Sequence, residues 1–228
     1  MPKIIPFKAT LYSEKIRSDL GKVLSPPYDV ISPDGFSQLK KLHPNQSVRL
    51  ALTEDANDPD RYLKMKNMFQ AWKNEGTLQA FETNAFYLIE DNFTSDGKSK
   101  RRLGFVALLE VSPFEKKEIL PHEFTLSGPK KDRLDLLKTM RAELSQIFLC
   151  YKDSELTLEK IHESKSKEAT LLHGTDSSKV ERKVWAITNE REVSALQNLL
   201  KRRPALIADG HHRYETAVNF SSESKYVQ

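Results

Sequence analysis

Apolar and polar residues change places along this chain in blocks short enough to belong to a mixture of strands and helices. Residues 3–12 read as an extended opening segment whose proline suits an edge strand. Ser32-Pro33-Asp34 has the composition of a helix start: a cap, proline in the first turn, then an acid near the positive end. Phe36, Leu39 and Leu42 share one face of that helix, and His43-Pro44 stops it. Residues 45–52, carrying Arg49, read as a strand. Asp58-Pro59 opens the clearest helix, with Tyr62, Met65, Phe69 and Trp72 at helical spacing and Gly76 where a terminating glycine belongs. That aromatic stripe reads as core rather than a cofactor face. Strands are predicted over 84–91 and 103–111, joined by a loop that holds Asp96-Gly97 and is decorated by Lys98, Lys100, Arg101 and Arg102. Leu134, Leu137, Met140 and Leu144 mark an amphipathic helix. Residues 145–151 read as a buried strand, making Cys150 a packing residue. A polar stretch over 153–182 reads as a helix plus a connection. A strand over 183–188 and a helix with Val193, Leu196, Leu199 and Leu200 inside follow it.

Composition narrows the class. The 228 residues are 38% hydrophobic and 30% charged, as in a soluble globular protein of one or two domains. No apolar stretch approaches the roughly 18 residues that span a bilayer, and the first residues lack the apolar core of a secretory signal. A lone cysteine, Cys150, excludes an internal disulfide and four-cysteine zinc sites. Cytoplasmic residence is the expectation. The net charge of +4 is too mild to indicate a nucleic-acid binder.

Three passages carry candidate chemistry. The run Pro204–Ala217 passes from a buried strand (205–208) through Asp209-Gly210 into a helix with Tyr214, Ala217 and Val218 on one side. Such a turn leaves main-chain N–H groups unpaired at the helix start, where the dipole also favours anions. Gly210 allows close approach or positive φ. His211, His212 and Arg213 add side-chain donors, and Arg213 can hold a phosphate or carboxylate with two bonds. The second passage, residues 120–133, reads as a polar loop before a helix. There Lys130, Lys131 and Arg133 can meet an anion, and His122 and Glu123 can exchange protons or bind a metal. In the third, Pro26-Pro27 stiffens a loop that presents Tyr28 and Asp29.

Several motifs stand together in order: Ser25–Ser32, Val48-Arg49-Leu50, Trp72–Gly76, Leu120–Glu123, Thr125–Lys130 and Ala208–Ala217. In this the chain resembles the prokaryotic domain-of-unknown-function family 1015, often labelled ParB-like, over nearly its whole length. That family is similar to the ParB/sulfiredoxin superfamily, whose small α/β domain binds nucleotides. Its relatives include CTP-hydrolysing partition proteins, sulfiredoxin and the ADP-dependent free serine kinase. The resemblance implies an α/β (α+β) fold, a mixed sheet with helices. Residues 1–228 would form one domain, 53–182 would be an insertion, and family members continue beyond this chain's end. It also implies that Asp209, Gly210, His211 and Arg213 contact nucleotide phosphates; His212 departs from the kinase-like pattern. Sulfiredoxin's catalytic cysteine has no counterpart in the turn, which disfavours that activity.

The expected function is therefore phosphoryl transfer between ADP or ATP, with CTP as the alternative nucleotide, and a small hydroxyl metabolite such as serine. Asp209–Arg213 would hold the phosphates, with His211 among the catalytic groups, and Lys130 or Arg133 would offset charge on the transferring group. Mg2+ would sit on Asp209 or Glu123. Asp29 would accept the hydroxyl proton. Tyr28, Arg49, His122 and Glu123 would line the substrate, with Arg49 on a substrate carboxylate. The alternative is a ParB-like, nucleotide-gated, DNA-associated regulator. It would need a helix-turn-helix or basic arm, and the sequence offers only short charge clusters at 98–102 and 201–203. The expected partners are a nucleotide and a small polar metabolite, not nucleic acid and not a membrane.

Overall fold

The structure, a computed structural model, describes residues 1–124, 127–201 and 203–223, with the backbone alone for 127–130. Along the chain run β1 (Ile4–Ile5), β2 (Thr10–Tyr12), α1 (Leu20–Val23), α2 (Pro33–Leu42), α3 (Val48–Ala51) and α4 (Arg61–Asn74). Then come β3 (Leu78–Ala80), β4 (Phe86–Ser95), β5 (Lys98–Val106), β6 (Leu108–Leu109), β7 (Ile119–Leu120), α5 (Ser127–Met140) and β8 (Phe148–Cys150). The remainder is α6 (Thr157–Lys165), β9 (Leu172–Thr175), β10 (Glu181–Ile187), α7 (Glu190–Leu200), β11 (Ala205–Asp209) and α8 (His211–Glu223). The fold is mixed α/β, as expected. Two compact units emerge: one of Met1–Pro6, Ala107–Thr157 and Asn189–Gln228, the other of Phe7–Val106 and Leu158–Thr188.

The second unit is built on a four-stranded sheet in the order β5-β4-β10-β9, antiparallel throughout. Asp96 and Gly97 both have positive φ (52° and 69°), the backbone of a two-residue turn whose twist matches its strands. The hairpin is tighter than predicted: Lys98, Lys100, Arg101 and Arg102 belong to β5, not to a loop. Arg102 reaches across to Asp91, its Nε donating at 3.1 Å, and Arg182 donates to the same buried carboxylate at 2.7 Å. Ala85, Tyr87 and Val184 centre one apolar cluster, with Phe7 and Phe81 edge-on to Tyr87. In α4, Met65, Phe69 and Trp72 are buried, so the aromatic stripe is core. The helix closes as predicted: Gly76 at φ 73° donates to Lys73 O and Thr77 donates to Trp72 O, the paired bonds of a left-handed glycine cap. Ser32 caps α2, its Oγ accepting from Gly35 N at 3.1 Å.

Residues 48–51 depart from expectation by forming a helical turn, α3, not a strand. Buried Val48 and Leu50 give the run its strand-like alternation, but a run this short fits either period. Buried Gln46 decides it. Its Oε1 accepts from Val48 N at 2.6 Å while its Nε2 donates to Leu24 O, and the following N–H groups bond back along the chain.

The first unit holds the three-stranded sheet β7-β11-β8 and the pair β1-β6. Ile119, Ala205, Ile207 and Tyr214 form its core, with Phe114, Leu149 and Val218 against them. Asn189 caps α7 by accepting from Arg191 N at 2.9 Å, and Gln197 on that helix donates to Ile4 O. β8 is an edge strand, and this corrects the reading of Cys150: Leu149 faces the core while Phe148 and Cys150 are exposed. An unbroken apolar run suggested burial on both sides, but a strand's side chains alternate and only one side is covered here. Helix α5 starts at Ser127, earlier than the apolar pattern indicates, so Lys130, Lys131 and Arg133 lie on a helix rather than a loop.

Candidate functional site

Strands β7 and β11 run parallel, with Ile119 opposite Ala205 and Leu120 opposite Leu206. The carboxyl ends of parallel neighbours lie side by side, so the segments leaving them enter the same space. β7 leaves into Pro121-His122-Glu123 and β11 into Gly210-His211-His212, which joins histidines 89 positions apart. The His122 N–H donates to His211 Nε2 at 3.3 Å, and the two rings meet edge to face with centroids 4.5 Å apart. His122 Nδ1 lies 2.7 Å from Ile207 O. A carbonyl only accepts, so Nδ1 carries the hydrogen and Nε2 presents its lone pair. His211 is 1% exposed. Its Nδ1 stands 2.8 Å from Glu123 Oε1, but the contact lacks hydrogen-bond alignment and that buried nitrogen has no aligned partner. Burial holds His211 below the ordinary histidine pKa; the Glu123 carboxylate pulls upward and His122 pulls downward.

The turn itself depends on glycine. Gly210 has a φ of 93°, and a Cβ there would lie 3.1 Å from Arg213 Cζ. The Arg213 guanidinium, on a residue 7% exposed, covers this bend while donating to Asp209, to Ser145 Oγ at 2.8 Å and to the Gln146 carbonyl. Arg213 therefore ties the start of α8 to the segment before β8. Ser145 and Gln146 escaped notice in the sequence because nothing in an ordinary polar pair announces a distant arginine. Tyr214, fully buried, donates to Ser112 O at 2.7 Å, accepts from Ser112 N at 3.1 Å and stacks on Phe114. The first intrahelical donor of α8 is Tyr214, bonding to Gly210 O at 2.9 Å. The main-chain N–H groups of 211–213 precede it, and Gly210 has no side chain with which to cap them.

These contacts lie within a span that the family model for the protein of unknown function DUF1015 matches, residues 4–227. The chain belongs to this family. No curated protein and no solved structure matches it.

The first unit brings together most of the expected site residues. Asp209, Gly210, His211, His212 and Arg213 form the turn and the first helical turn of α8, and His122 and Glu123 adjoin them. His122, Glu123 and His211 are the one group of metal-ligating side chains found among the described residues, with one ligand atom of each within 4.8 Å of the others. Asp209, expected beside Glu123 as an alternative Mg2+ ligand, stands outside that group and pairs with Arg213. Arg133 Nε donates to its neighbour Asp132 at 2.9 Å. The Lys130 side chain lies outside the described residues, as do Thr125 and Leu126. Tyr28, Asp29 and Arg49 belong to the second unit. Tyr28 and Asp29 start a single 3-10 turn after Pro27, with Asp29 exposed. Arg49 Nη2 donates to Lys40 O at 2.8 Å, closing the end of α2.

Proposed function

We propose that the chain binds a nucleotide by its phosphates at the Gly210–His211 turn and transfers a phosphoryl group to the hydroxyl of a small polar metabolite such as serine. One observation carries this reading: a 13-residue helix begins directly after a positive-φ glycine at the carboxyl end of a parallel-paired strand. The N–H groups of its first turn suit phosphate oxygens. ADP or ATP, with CTP as the alternative, would supply the phosphoryl group, and Mg2+ would accompany the phosphates with most of its waters. As the new O–P bond forms and the bond to the nucleotide oxygen breaks, the hydroxyl proton passes to Asp209. The Asp209 side chain is half exposed and is held in place through one oxygen by Arg213. Arg213 then positions the turn and Asp209 rather than gripping phosphate itself.

Calorimetric titration of the full chain with ADP, ATP and CTP, each with and without Mg2+, tests this. One of the three is expected to bind one to one, and then to support serine-dependent release of product. If none of the three binds, the proposal fails. The DNA-associated alternative draws no support from the basic run at 98–102, where Arg101 and Arg102 are already engaged with Glu159 and Asp91.

A further inference from the structure

We infer that His122, Glu123 and His211 form a binding site for a divalent transition metal of the zinc class, distinct from any Mg2+ that travels with nucleotide. Two imidazoles and one carboxylate are a donor set for zinc or a similar borderline ion, not for Mg2+, which prefers oxygen ligands and retained waters. The His122 ring is prepared for this role. Its Nδ1–H points to the Ile207 carbonyl at 2.7 Å, the outer-shell bond that fixes a ligand histidine's tautomer and directs its Nε2 lone pair outward. His211 supplies a second, independent sign. Its Nδ1 is buried, lacks an aligned hydrogen-bond partner and faces the Glu123 carboxylate 2.8 Å away. A metal ion takes lone pairs from both groups and resolves that contact. His122 and Glu123 are exposed, so an ion here would keep an open position for water or a substrate oxygen.

One bond opposes loading. The His122 N–H now donates to His211 Nε2 at 3.3 Å, which leaves the His211 proton on Nδ1. A metal on Nδ1 moves that proton to Nε2 and breaks the bond. At 3.3 Å the bond is longer than usual and weak, so the exchange favours the metal. The His122 amide becomes a reporter of occupancy. Nothing in this site requires nucleotide, so it stands or falls separately from phosphoryl transfer.

The test uses the full chain, stripped with chelator and free of nucleotide, titrated with Zn2+ and separately with Mg2+. The expected result is one Zn2+ per chain, no response to Mg2+, and a shift of the His122 amide resonance on loading. His122→Gln and Glu123→Gln, both at exposed positions and checked for folding by circular dichroism, should each weaken Zn2+ by at least the roughly 10–100-fold that loss of an outer-shell partner costs. His173→Gln removes an exposed histidine beside Glu181 and should leave Zn2+ binding unchanged. The proposal is overturned if Zn2+ does not bind. It is equally overturned if the His122 and Glu123 variants bind Zn2+ as the parent does, or if His173→Gln abolishes binding.

Discussion

Replacing Gly210 by alanine should destabilise the first unit through two separable effects. The first is backbone: a φ of 93° is hostile to any residue with a Cβ, and holding alanine there costs about 1–3 kcal/mol. The second is displacement of Arg213. The new methyl would lie 3.1 Å from Cζ and Nε and 3.2 Å from Nη2 of a guanidinium that Asp209, Ser145 and Gln146 hold in place. Moving it weakens hydrogen bonds to a charged group, each worth about 1.5–3 kcal/mol, so a further ~1–2 kcal/mol is lost. Arg213→Ala alone should cost about 1.5–3 kcal/mol, the worth of hydrogen bonds to a charged group, because the guanidinium is buried while Asp209 and Gln146, two of its acceptors, stay open to solvent. In the Arg213→Ala background the methyl meets no guanidinium, and Gly210→Ala should cost only its backbone share. The double variant is therefore expected to be more stable than additivity predicts, by ~1–2 kcal/mol. Urea unfolding followed by far-ultraviolet circular dichroism measures all four proteins. Tryptophan fluorescence serves as a control, since Trp72 and Trp185 both belong to the second unit. Additivity to within about 0.5 kcal/mol would refute the coupling, and a Gly210→Ala protein as stable as the parent would refute the whole account of the bend.

Three further outcomes follow from other contacts. Asp91→Asn should destabilise the second unit by about 3 kcal/mol, because a buried carboxylate shared by Arg102 and Arg182 loses its charge; urea unfolding followed by tryptophan fluorescence reads it. Gly21→Ala should cost roughly 1–3 kcal/mol in the same assay, since its Cβ would stand 2.2 Å from the Thr175 carbonyl oxygen and α1 must move off β9. Burial keeps His211 neutral below the ordinary histidine range, so the unfolded chain gains a proton before the folded one does. Stability of the metal-free protein should therefore be full above about pH 6.5, fall as pH drops towards the lowered folded-state pKa, and level off below it. His211→Gln should flatten that fall in unfolding curves taken between pH 5 and 8, and an unchanged slope would remove His211 as its source.

Local chemistry alone determined several features here, because a few adjacent residues hold all the information each one needs. Ser32-Pro33 at a helix start, Gly76 at a helix end, Asp96-Gly97 in a hairpin and the strand–glycine–helix passage at 205–217 are set by φ preference, missing donors and side-chain caps acting within a turn. Elements decided by distant partners could not be read this way. Residues 48–51 wind into a helix because Gln46 is buried against Leu24 O, and Cys150 is exposed because the core covers only the opposite face of its strand, the one carrying Leu149. The candidate site divides along the same line. Its residue types were visible as two polar passages, but only the parallel pairing of β7 with β11 sets His122 against His211. Arg213 is likewise tied to Ser145, Gln146 and Asp209, acceptors that only the fold brings to it. A side chain's chemical capacity belongs to its sequence, whereas the partner that uses it is fixed by contacts between residues far apart along the chain.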